Sequence, residues 1–375
     1  MEKYTSNCRL AIIVSHPIQY YSPLFKELAK EINLKVFYGF NPTSEQQGAD
    51  GFGISFKWDI DLFDGYQYEF LENISKRPSS SYRGGCDTPG VDETLQRYDP
   101  THVVTFGWHL KTYQQVLSYC KKKSISIAVR GDSKIDRNES IFKKIVKFIY
   151  YPFFLNKYNA FLSVGEENRK YLMKYKVSED KIIFSPHAVD QDFWKGERTN
   201  HDKYTFIWVA KFIPLKRPFD VIDAFLKLYS KNTNIELKMV GSGPLLEASV
   251  IRASGNKDIK FLGFRNQLEL REEYLNSDAL ILSSDSETWG LVVNEALSCG
   301  LKVIVSSEIG CASDLIARGV GVVYKVGSVL QLIELMENYY QDRDFQKYAE
   351  ELKGINIIYS FERNLKSFKE FILLN

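Results

Sequence analysis

The sequence predicts an α/β protein with two doubly wound, Rossmann-like domains that face each other across a cleft. A length of 375 residues exceeds what one ordinary hydrophobic core accommodates. Short apolar runs typical of buried parallel strands alternate with segments of helical apolar spacing in both halves. A polar linker at 195–203 separates the halves. We therefore expect an N-terminal domain at 1–190, a C-terminal domain at 203–355, and a last helix at 356–375 that packs back on the N-terminal domain.

Composition narrows the class of protein. The net charge of +2, with 44% hydrophobic and 26% charged residues, is typical of a soluble globular chain, so nucleic acid is not an expected partner. The five cysteines lack the spacing of a zinc site or a disulfide framework, which fits a reducing cytoplasm. The first apolar run, Leu10 to Val14, is too short for a signal peptide or a membrane span and predicts a first strand instead.

Three predicted strands of the first half end next to polar side chains. Ligands of open α/β sheets collect at the carboxyl ends of strands. His16 follows the strand at 10–14, His109 follows the strand at 101–105, and Arg130 ends the strand at 125–129. A merely structural histidine at position 16, or an Arg130 paired with a nearby aspartate, remains an alternative.

Between these strands, residues 41–100 are rich in Gly, Asp, Ser and aromatic residues and show weak periodicity. They predict two or three strands with long loops. Aromatic rings such as Phe56 and Trp58 could stack on a sugar, although core packing explains most rings of this kind.

Residues 140–155 combine three lysines with a dense run of apolar side chains. The lysines and Pro152 exclude a membrane span. A basic amphipathic helix at a membrane surface is one interpretation, through Ser140 to Phe154, and packing on its own domain is the other. Two further strands, 160–164 and 181–184, flank a helix, and Pro186 marks the exit from the first sheet.

The second half opens with a strand at 205–209, which Lys211 and Lys216 follow. The next strand, 236–240, leads into Gly241 and Gly243. This loop is not a complete dinucleotide-binding fingerprint, since Leu246 replaces the third glycine and no acidic residue ends the following strand. A nicotinamide-dependent enzyme is therefore disfavoured.

The most informative stretch runs from 278 to 316 and reads as strand, loop, helix and strand. The helix should begin near Trp289 to Leu291 and stop before Gly300. Free backbone N–H groups around Gly290 would form an anion site at its N-terminus. Glu287 lies beside that site, whereas Glu295 lies about two turns further on. A sheet crossover with two exposed acids is the plainer interpretation.

These motifs resemble the retaining, nucleotide-sugar-dependent glycosyltransferases of the GT-B fold, of the family 4 type found in bacterial cell-envelope and polysaccharide synthesis. The resemblance lies in the segment Glu287-Thr-Trp-Gly-Leu-Val-Val-Asn-Glu295-Ala-Leu-Ser-Cys-Gly300 and in the lysine pair at 211 and 216. Arg130 stands where many such enzymes carry a His near the donor phosphate.

The resemblance implies three sets of site residues. The catalytic residues would be Glu287, Lys216 and Arg130, and the acceptor-binding residues His16 and His109. The donor-binding residues would be Lys211, Lys216, Gly241, Gly243, Phe264, Glu287, Trp289, Gly290, Leu291, Val292 and Glu295.

The implied function is that of a hexosyltransferase-type glycosyltransferase without cofactor or metal, which moves a sugar from a nucleotide diphosphosugar to a hydroxyl of a glycan or lipid-linked acceptor. We expect a cytoplasmic protein, with a possible site of action at the inner face of the membrane. A nucleotide-sugar epimerase of the same fold and a non-catalytic sugar-nucleotide or glycan-binding protein remain alternatives. Donor, acceptor and linkage are open.

Overall fold

The computed structural model describes residues 8–49, 55–136, 139–198, 202–342 and 344–374. Residues 199–201 of the predicted linker lie outside these ranges. The chain forms two compact units. The first comprises Met1–Pro42, Asp61–Ala188 and Ser360–Asn375, and the second comprises Thr43–Ile60 and Val189–Tyr359. Residues 43–60 therefore belong to the second unit, whereas the sequence interpretation assigned all of 1–190 to the first.

The strands of the described residues pair in parallel, and most of them are buried, although Gln67 and Tyr68 of β3 are exposed. In chain order they are β1 (Leu10–Val14), β2 (Leu34–Tyr38), β3 (Gln67–Phe70), β4 (His102–Thr105), β5 (Ser126–Gly131), β6 (Ala160–Ser163), β7 (Ile182–Phe184), β8 (Tyr204–Val209), β9 (Ile235–Val240), β10 (Ile259–Gly263), β11 (Ala279–Leu282), β12 (Lys302–Ser306) and β13 (Val322–Tyr324).

The α-helices follow the strands as crossovers. They are α1 (Ser22–Ala29), α2 (Ser44–Ala49), α3 (Val91–Tyr98), α4 (Lys111–Lys123), α5 (Ile141–Leu155), α6 (Glu166–Lys174), α7 (Gln191–Trp194), α8 (Pro218–Tyr229), α9 (Leu246–Arg252), α10 (Gln267–Leu275), α11 (Leu291–Ser298), α12 (Val329–Gln341), α13 (Phe345–Ile358) and α14 (Phe361–Ile372). Within the described ranges no helix has the length and apolarity needed to cross a membrane.

The first unit is built on a parallel sheet of order β3-β2-β1-β4-β5-β6-β7. Successive residues of β1 face opposite sides of this sheet: Ala11 and Ile13 lie in one core cluster, and Leu10, Ile12 and Val14 in the other. Helix α14 covers the second side, where it shares a cluster with α1. The expected two or three strands between 41 and 100 are wrong for the described residues, since β3 is the only strand that forms there and most of the rest, outside α2 and α3, is irregular.

The second unit has a parallel sheet of order β10-β9-β8-β11-β12-β13 around its own core. In both sheets the chain starts in the middle, winds to one side, and then returns to wind to the other. The order therefore reverses between β1 and β4 in the first unit and between β8 and β11 in the second. Such switch points open a crevice at the carboxyl ends of the strands, where ligands of this fold class bind.

Candidate active site

Lys216 and Glu287 converge at the switch point of the second sheet. Lys216 lies in the loop that follows β8, and Glu287 lies in the loop that follows β11, the strand next to β8. The Lys216 ammonium contacts the Glu287 carboxylate directly. The two side chains are 15% and 21% exposed, so this ion pair is partly shielded from water but remains reachable. The sequence predicted both residues as site residues, and the structure brings them together.

Hydrogen bonds between the two loops fix the position of Lys216. The Trp208 Nε1–H donates to Ser283 Oγ at 3.0 Å, and the Ser283 hydroxyl in turn donates to the Lys216 carbonyl oxygen at 2.7 Å. The Asp285 N–H donates to the Leu215 carbonyl oxygen at 2.8 Å. The backbone that carries Lys216 is therefore tied to the loop that carries Glu287. Lys211 lies earlier in the same loop after β8 and is half-buried.

A neighbouring loop braces Glu287 through its backbone. The Glu287 N–H donates to the Glu308 carbonyl oxygen, and the Gly310 N–H donates to the Glu287 carbonyl oxygen, both at 3.2 Å. A Cβ at Gly310 would lie 1.9 Å from the carbonyl oxygen of Thr288, so only glycine allows this approach. The Ser284 hydroxyl donates to Glu287 Oε1 at 3.1 Å, which leaves Glu287 Oε2 as the second acceptor atom.

Helix α11 begins directly after this loop, at the predicted place. Gly290 is its N-cap, with φ of +97°. Because glycine has no side chain, the N-cap residue supplies no side-chain acceptor to the first turn. A Cβ there would meet Ile309 Cγ2 at 3.0 Å, so both conformation and space favour glycine. The N–H groups of Leu291 and Val292 in the first turn have no intrahelical acceptor and lie near the positive end of the helix dipole, whereas the Val293 N–H donates to the Gly290 carbonyl oxygen at 2.9 Å.

The buried side chain of Trp289 packs beneath the start of helix α11, on its interior side. Its ring is buried, its Nε1–H donates to Asn294 Oδ1 at 2.8 Å, and the ring centroid lies 6.1 Å from that of Tyr359. The sequence interpretation placed Trp289 among the donor-binding residues. The buried ring favours a positioning role, in which it fixes the backbone on either side of Gly290.

Glu295 lies on the buried face of α11 and is only 8% exposed. The Tyr274 hydroxyl donates to Glu295 Oε2 at 3.2 Å. Burial raises the pKa of Glu295 to about 7, and the Tyr274 hydrogen bond opposes this rise. The carboxyl group is therefore poised between its neutral and charged forms near neutral pH. Its predicted contact with the donor stays a prediction.

The glycine loop after β9 packs tightly on the loop after β8. A Cβ at Gly241 would lie 1.9 Å from the Ala210 carbonyl oxygen, and a Cβ at Gly243 would lie 2.7 Å from the Phe212 carbonyl oxygen. Both glycines have positive φ, +135° and +146°. They are thus required for close backbone packing beside Lys211. Their predicted contact with a donor stays a prediction.

The two predicted acceptor-binding histidines lie in the first unit, in loops after the neighbouring strands β1 and β4. His16 Nδ1 is 2.9 Å from Ser15 Oγ, and its ring stacks on Phe40 at 5.2 Å between centroids. His109 is exposed, and its Nε2 is 2.9 Å from the Ser80 carbonyl oxygen. Both therefore follow strands that flank the switch point of the first sheet. Their contact with an acceptor stays a prediction.

Arg130 is the penultimate residue of β5, but its side chain points into the first unit and the residue is 1% exposed. Its NH2 group donates to the Pro186 carbonyl oxygen at 2.9 Å and to Asn364 Oδ1 at 3.5 Å. Its other two nitrogens have no hydrogen-bond partner among the described residues. The aromatic rings of Tyr21 and Phe106 lie 5.4 and 5.6 Å from its central carbon. This placement favours a structural role over the predicted contact with a phosphate.

Sequence patterns missed three contacts around the site. Tyr274 reaches Glu295 from α10, Ser284 reaches Glu287 from the end of β11, and Phe56 packs on Phe264 with 4.6 Å between ring centroids. Ser284 could have been found, since it is three residues before Glu287 in the same loop. The other two contacts join distant segments that carry no shared sequence signal.

Comparisons of the sequence with known proteins match mainly its second half. Residues 190–353, less than half of the chain, match the family model described as Glycosyl transferases group 1. The alpha-monoglucosyldiacylglycerol synthase of Acholeplasma laidlawii is 31% identical over 108 residues, 28% of this chain and 27% of that protein. The N-acetyl-alpha-D-glucosaminyl L-malate synthase of Bacillus anthracis is 30% identical over 154 residues, 39% of each protein. The chain spans less than half the length of these curated relatives.

Similarity to solved structures extends over both units. The structure of Anabaena Alr3699/HepE in complex with UDP matches 97% of this chain and 98% of its own, with a TM-score of 0.73 and 14% sequence identity. At this identity the similarity concerns the fold. The predicted fold class of two doubly wound, Rossmann-like α/β domains, as in GT-B proteins, is confirmed.

Proposed function

We propose that this chain is a glycosyltransferase that moves a sugar from a nucleotide diphosphosugar to a hydroxyl group of a glycan or lipid-linked acceptor. The observation that carries the proposal is the Lys216–Glu287 pair beside the uncapped start of α11. It combines a cation, a carboxylate and free N–H groups at one switch point. The match of 190–353 to the group 1 glycosyl transferases includes all of these residues.

In the proposed chemistry, cationic groups of the chain stabilise the departing diphosphate, and a carboxylate stabilises the sugar ring. A departing nucleoside diphosphate carries negative charge, which Lys211, Lys216 and the N–H groups of Gly290 and the following residues would neutralise. The sugar ring develops positive charge, which the Glu287 carboxylate would stabilise. Because the chain's own cations and helix dipole supply this charge, the proposal includes neither a cofactor nor a metal. Retention at the anomeric carbon and hexosyl transfer belong to the proposal through the family resemblance alone.

A two-stage experiment tests this function. Thermal-shift measurements with UDP-, GDP-, ADP- and CMP-sugars identify the donor, because a ligand that binds the folded chain raises its melting temperature. Release of nucleoside diphosphate is then followed with and without candidate acceptors. Acceptor-dependent release supports the transferase. Interconversion of donor sugars without acceptor would show the epimerase, and binding without turnover would show a binding protein; either result would overturn the proposal.

The relatives leave the acceptor class broad. One relative is named for a diacylglycerol product and another for a malate product. We propose a lipid-linked or glycan acceptor of cell-envelope polysaccharide synthesis, used in the cytoplasm at the inner face of the membrane. The support for this choice is the surface of helix α5, which presents an unusual apolar face to solvent.

Helix α5 exposes apolar side chains over most of its length. Phe142 and Phe153 are each 76% exposed, although apolar rings of this size are usually buried. The exposed apolar set comprises Ile141, Phe142, Ile145, Val146, Phe148, Ile149, Tyr150 and Phe153. At 100° per residue these positions form one continuous arc, and Lys143 and Lys144 lie at its two edges. The Lys176 ammonium lies 5.6 Å from the Phe148 ring centroid.

An apolar arc bordered by lysines fits the interface of an anionic membrane, where rings enter the acyl boundary and ammonium groups meet lipid phosphates. We therefore include a peripheral contact through Ser140 to Phe154 in the proposal. Lys143 is exposed, whereas the Lys147 ammonium pairs with Glu139 and Lys144 has a partner as well, so Lys143 is the lysine that we expect to meet a lipid phosphate.

Vesicle sedimentation tests this contact. The wild type should bind vesicles of phosphatidylcholine with phosphatidylglycerol more tightly than phosphatidylcholine alone. At about 1 kcal/mol per basic residue near such a surface, replacing Lys143 by Glu should weaken binding at least about fivefold. Lys122→Glu, on α4, is the matched control. Absence of wild-type binding, or equal loss in the control, would refute the contact, and self-association by sedimentation velocity would indicate a second copy as the occupant.

A further inference from the structure

In the sequence, residues 43–60 lie between two segments of the first unit, but they belong to the second unit. The segments before and after them, Met1–Pro42 and Asp61–Ala188, both belong to the first unit. We name the part at 55–60 the crossing segment. It reaches the loop after β10, about 200 residues further along the chain.

Three hydrogen bonds attach the crossing segment to the start of α10. The Asn266 side-chain NH2 donates to the Lys57 carbonyl oxygen at 2.7 Å. The N–H groups of Gln267 and Leu268 donate to Asp59 Oδ1 and Oδ2 at 3.2 and 2.9 Å. The Asp59 carboxylate thus accepts from two adjacent backbone N–H groups. Its negative charge is also stabilised by the positive end of the helix dipole.

Helix α10 does not need these bonds to cap its N-terminus. Helix α10 already has its own capping box, in which Asn266 and Glu269 satisfy each other's backbone N–H groups. The Asp59 contact therefore anchors the crossing segment to the loop, rather than supplying a cap that α10 lacks.

The anchor holds a small aromatic group against the carboxyl edge of the sheet. The centroid of the Phe56 ring lies 4.6 Å from that of Phe264 and 4.9 Å from that of Trp58. Phe264 directly follows β10, and its neighbour Gly263 accepts a hydrogen bond from the Gly241 N–H at 2.8 Å. A Cβ at Gly263 would meet nothing within 4 Å, so there is open space beside these rings.

We propose that the crossing segment is part of the donor site, in which Phe56 provides aromatic surface for the nucleobase and Asp59 holds the loop that carries Phe264. Planar bases stack on aromatic side chains, and the carboxyl edge of the sheet is where the ligands of this fold class bind. This inference rests on the proposed function, since it assumes a nucleotide donor. It assigns base recognition partly to residues from the first half of the sequence.

Binding of UDP, GDP, ADP and CMP by isothermal titration calorimetry tests the proposal on the full chain. Phe56→Ala should weaken the preferred nucleotide at least fivefold and flatten the preference among bases, and Asp59→Asn should weaken it by a smaller factor. Phe219→Ala is the matched control, because this ring lies on α8 against Arg252, and it should leave both affinity and preference unchanged. Trp58 adds a second readout, since Trp58→Phe should remove part of the fluorescence change on nucleotide addition.

The outcomes separate the two proposals. If the wild type binds none of the four nucleotides, the proposed function and this inference fall together. If the wild type binds one of them and Phe56→Ala binds it equally well with the same base preference, only this inference is wrong. A lower melting temperature for Phe56→Ala with unchanged affinity would likewise overturn it, because it would show a purely structural contact.

Discussion

Replacing Glu295 with Gln tests the buried carboxyl group of α11. Burial raises the pKa of Glu295 from an ordinary value of 4.5 to about 7. The folded chain therefore holds a proton that the unfolded chain has released, so the free energy of unfolding falls as the pH rises from about 4.5 to about 7 and levels off above it. At about 1.4 kcal/mol per pKa unit, the wild type loses up to about 3 kcal/mol over this range.

Glutamine stays neutral at every pH and can still accept from the Tyr274 hydroxyl. We therefore expect Glu295→Gln to match the wild type near pH 4.5 and to exceed its stability by up to about 3 kcal/mol at pH 8. Urea unfolding followed by tryptophan fluorescence between pH 5 and pH 8 measures the difference. Tyr274→Phe is the control: it removes the hydrogen bond that lowers the pKa of Glu295, so its loss of stability should extend to higher pH. A difference between Glu295→Gln and wild type that is constant with pH would refute the reasoning.

Three further changes probe other parts of the structure. Lys216→Ala should lower kcat/KM for the donor by about 100-fold, because the leaving diphosphate loses a cation; unchanged kinetics would remove Lys216 from the site. Gly241→Ala should cost at least about 2 kcal/mol in urea unfolding, because its Cβ would lie 1.9 Å from the Ala210 carbonyl oxygen at a φ of +135°. Asn364→Ala should cost about 1 to 3 kcal/mol, because the buried Ser185 hydroxyl, which donates to Asn364 Oδ1 at 2.8 Å, and the Arg130 guanidinium each lose an acceptor.

The sheets were predictable because buried parallel strands are short continuous apolar runs. The bounds predicted for β1, 10–14, agree with the structure, and the strand predicted at the start of 278–316 forms as β11. β2 was not predicted, since Lys35 interrupts its apolar run, and β13 was not predicted, since it has three residues and is largely accessible. The family resemblance implied that Lys216 and Glu287 share a site, and the structure gives the reason, because β8 and β11 are neighbouring parallel strands whose carboxyl ends share one edge.

The remaining features depend on contacts that no local pattern encodes. The inward turn of Arg130 depends on acceptors at Pro186 and Asn364, the latter 234 residues away. The crossing segment meets α10 through hydrogen bonds that span up to 209 residues. A strand end or an aromatic residue can thus be placed from sequence, whereas the partner that decides its exposure comes from the tertiary structure.

The two glutamates should divide their work according to what each contacts. In the donor-free chain Lys216 and Glu287 neutralise each other. On the proposed reaction, a bound diphosphate draws the Lys216 ammonium away, and the Glu287 carboxylate then faces the ring on which positive charge develops. Glu287→Gln should therefore mainly lower kcat. We assign Glu295 to the ribose hydroxyls of the donor, which stay uncharged throughout the proposed reaction, so Glu295→Gln should mainly raise the donor KM. Steady-state kinetics with the identified donor measure both constants, and the opposite division would show that the two roles are reversed.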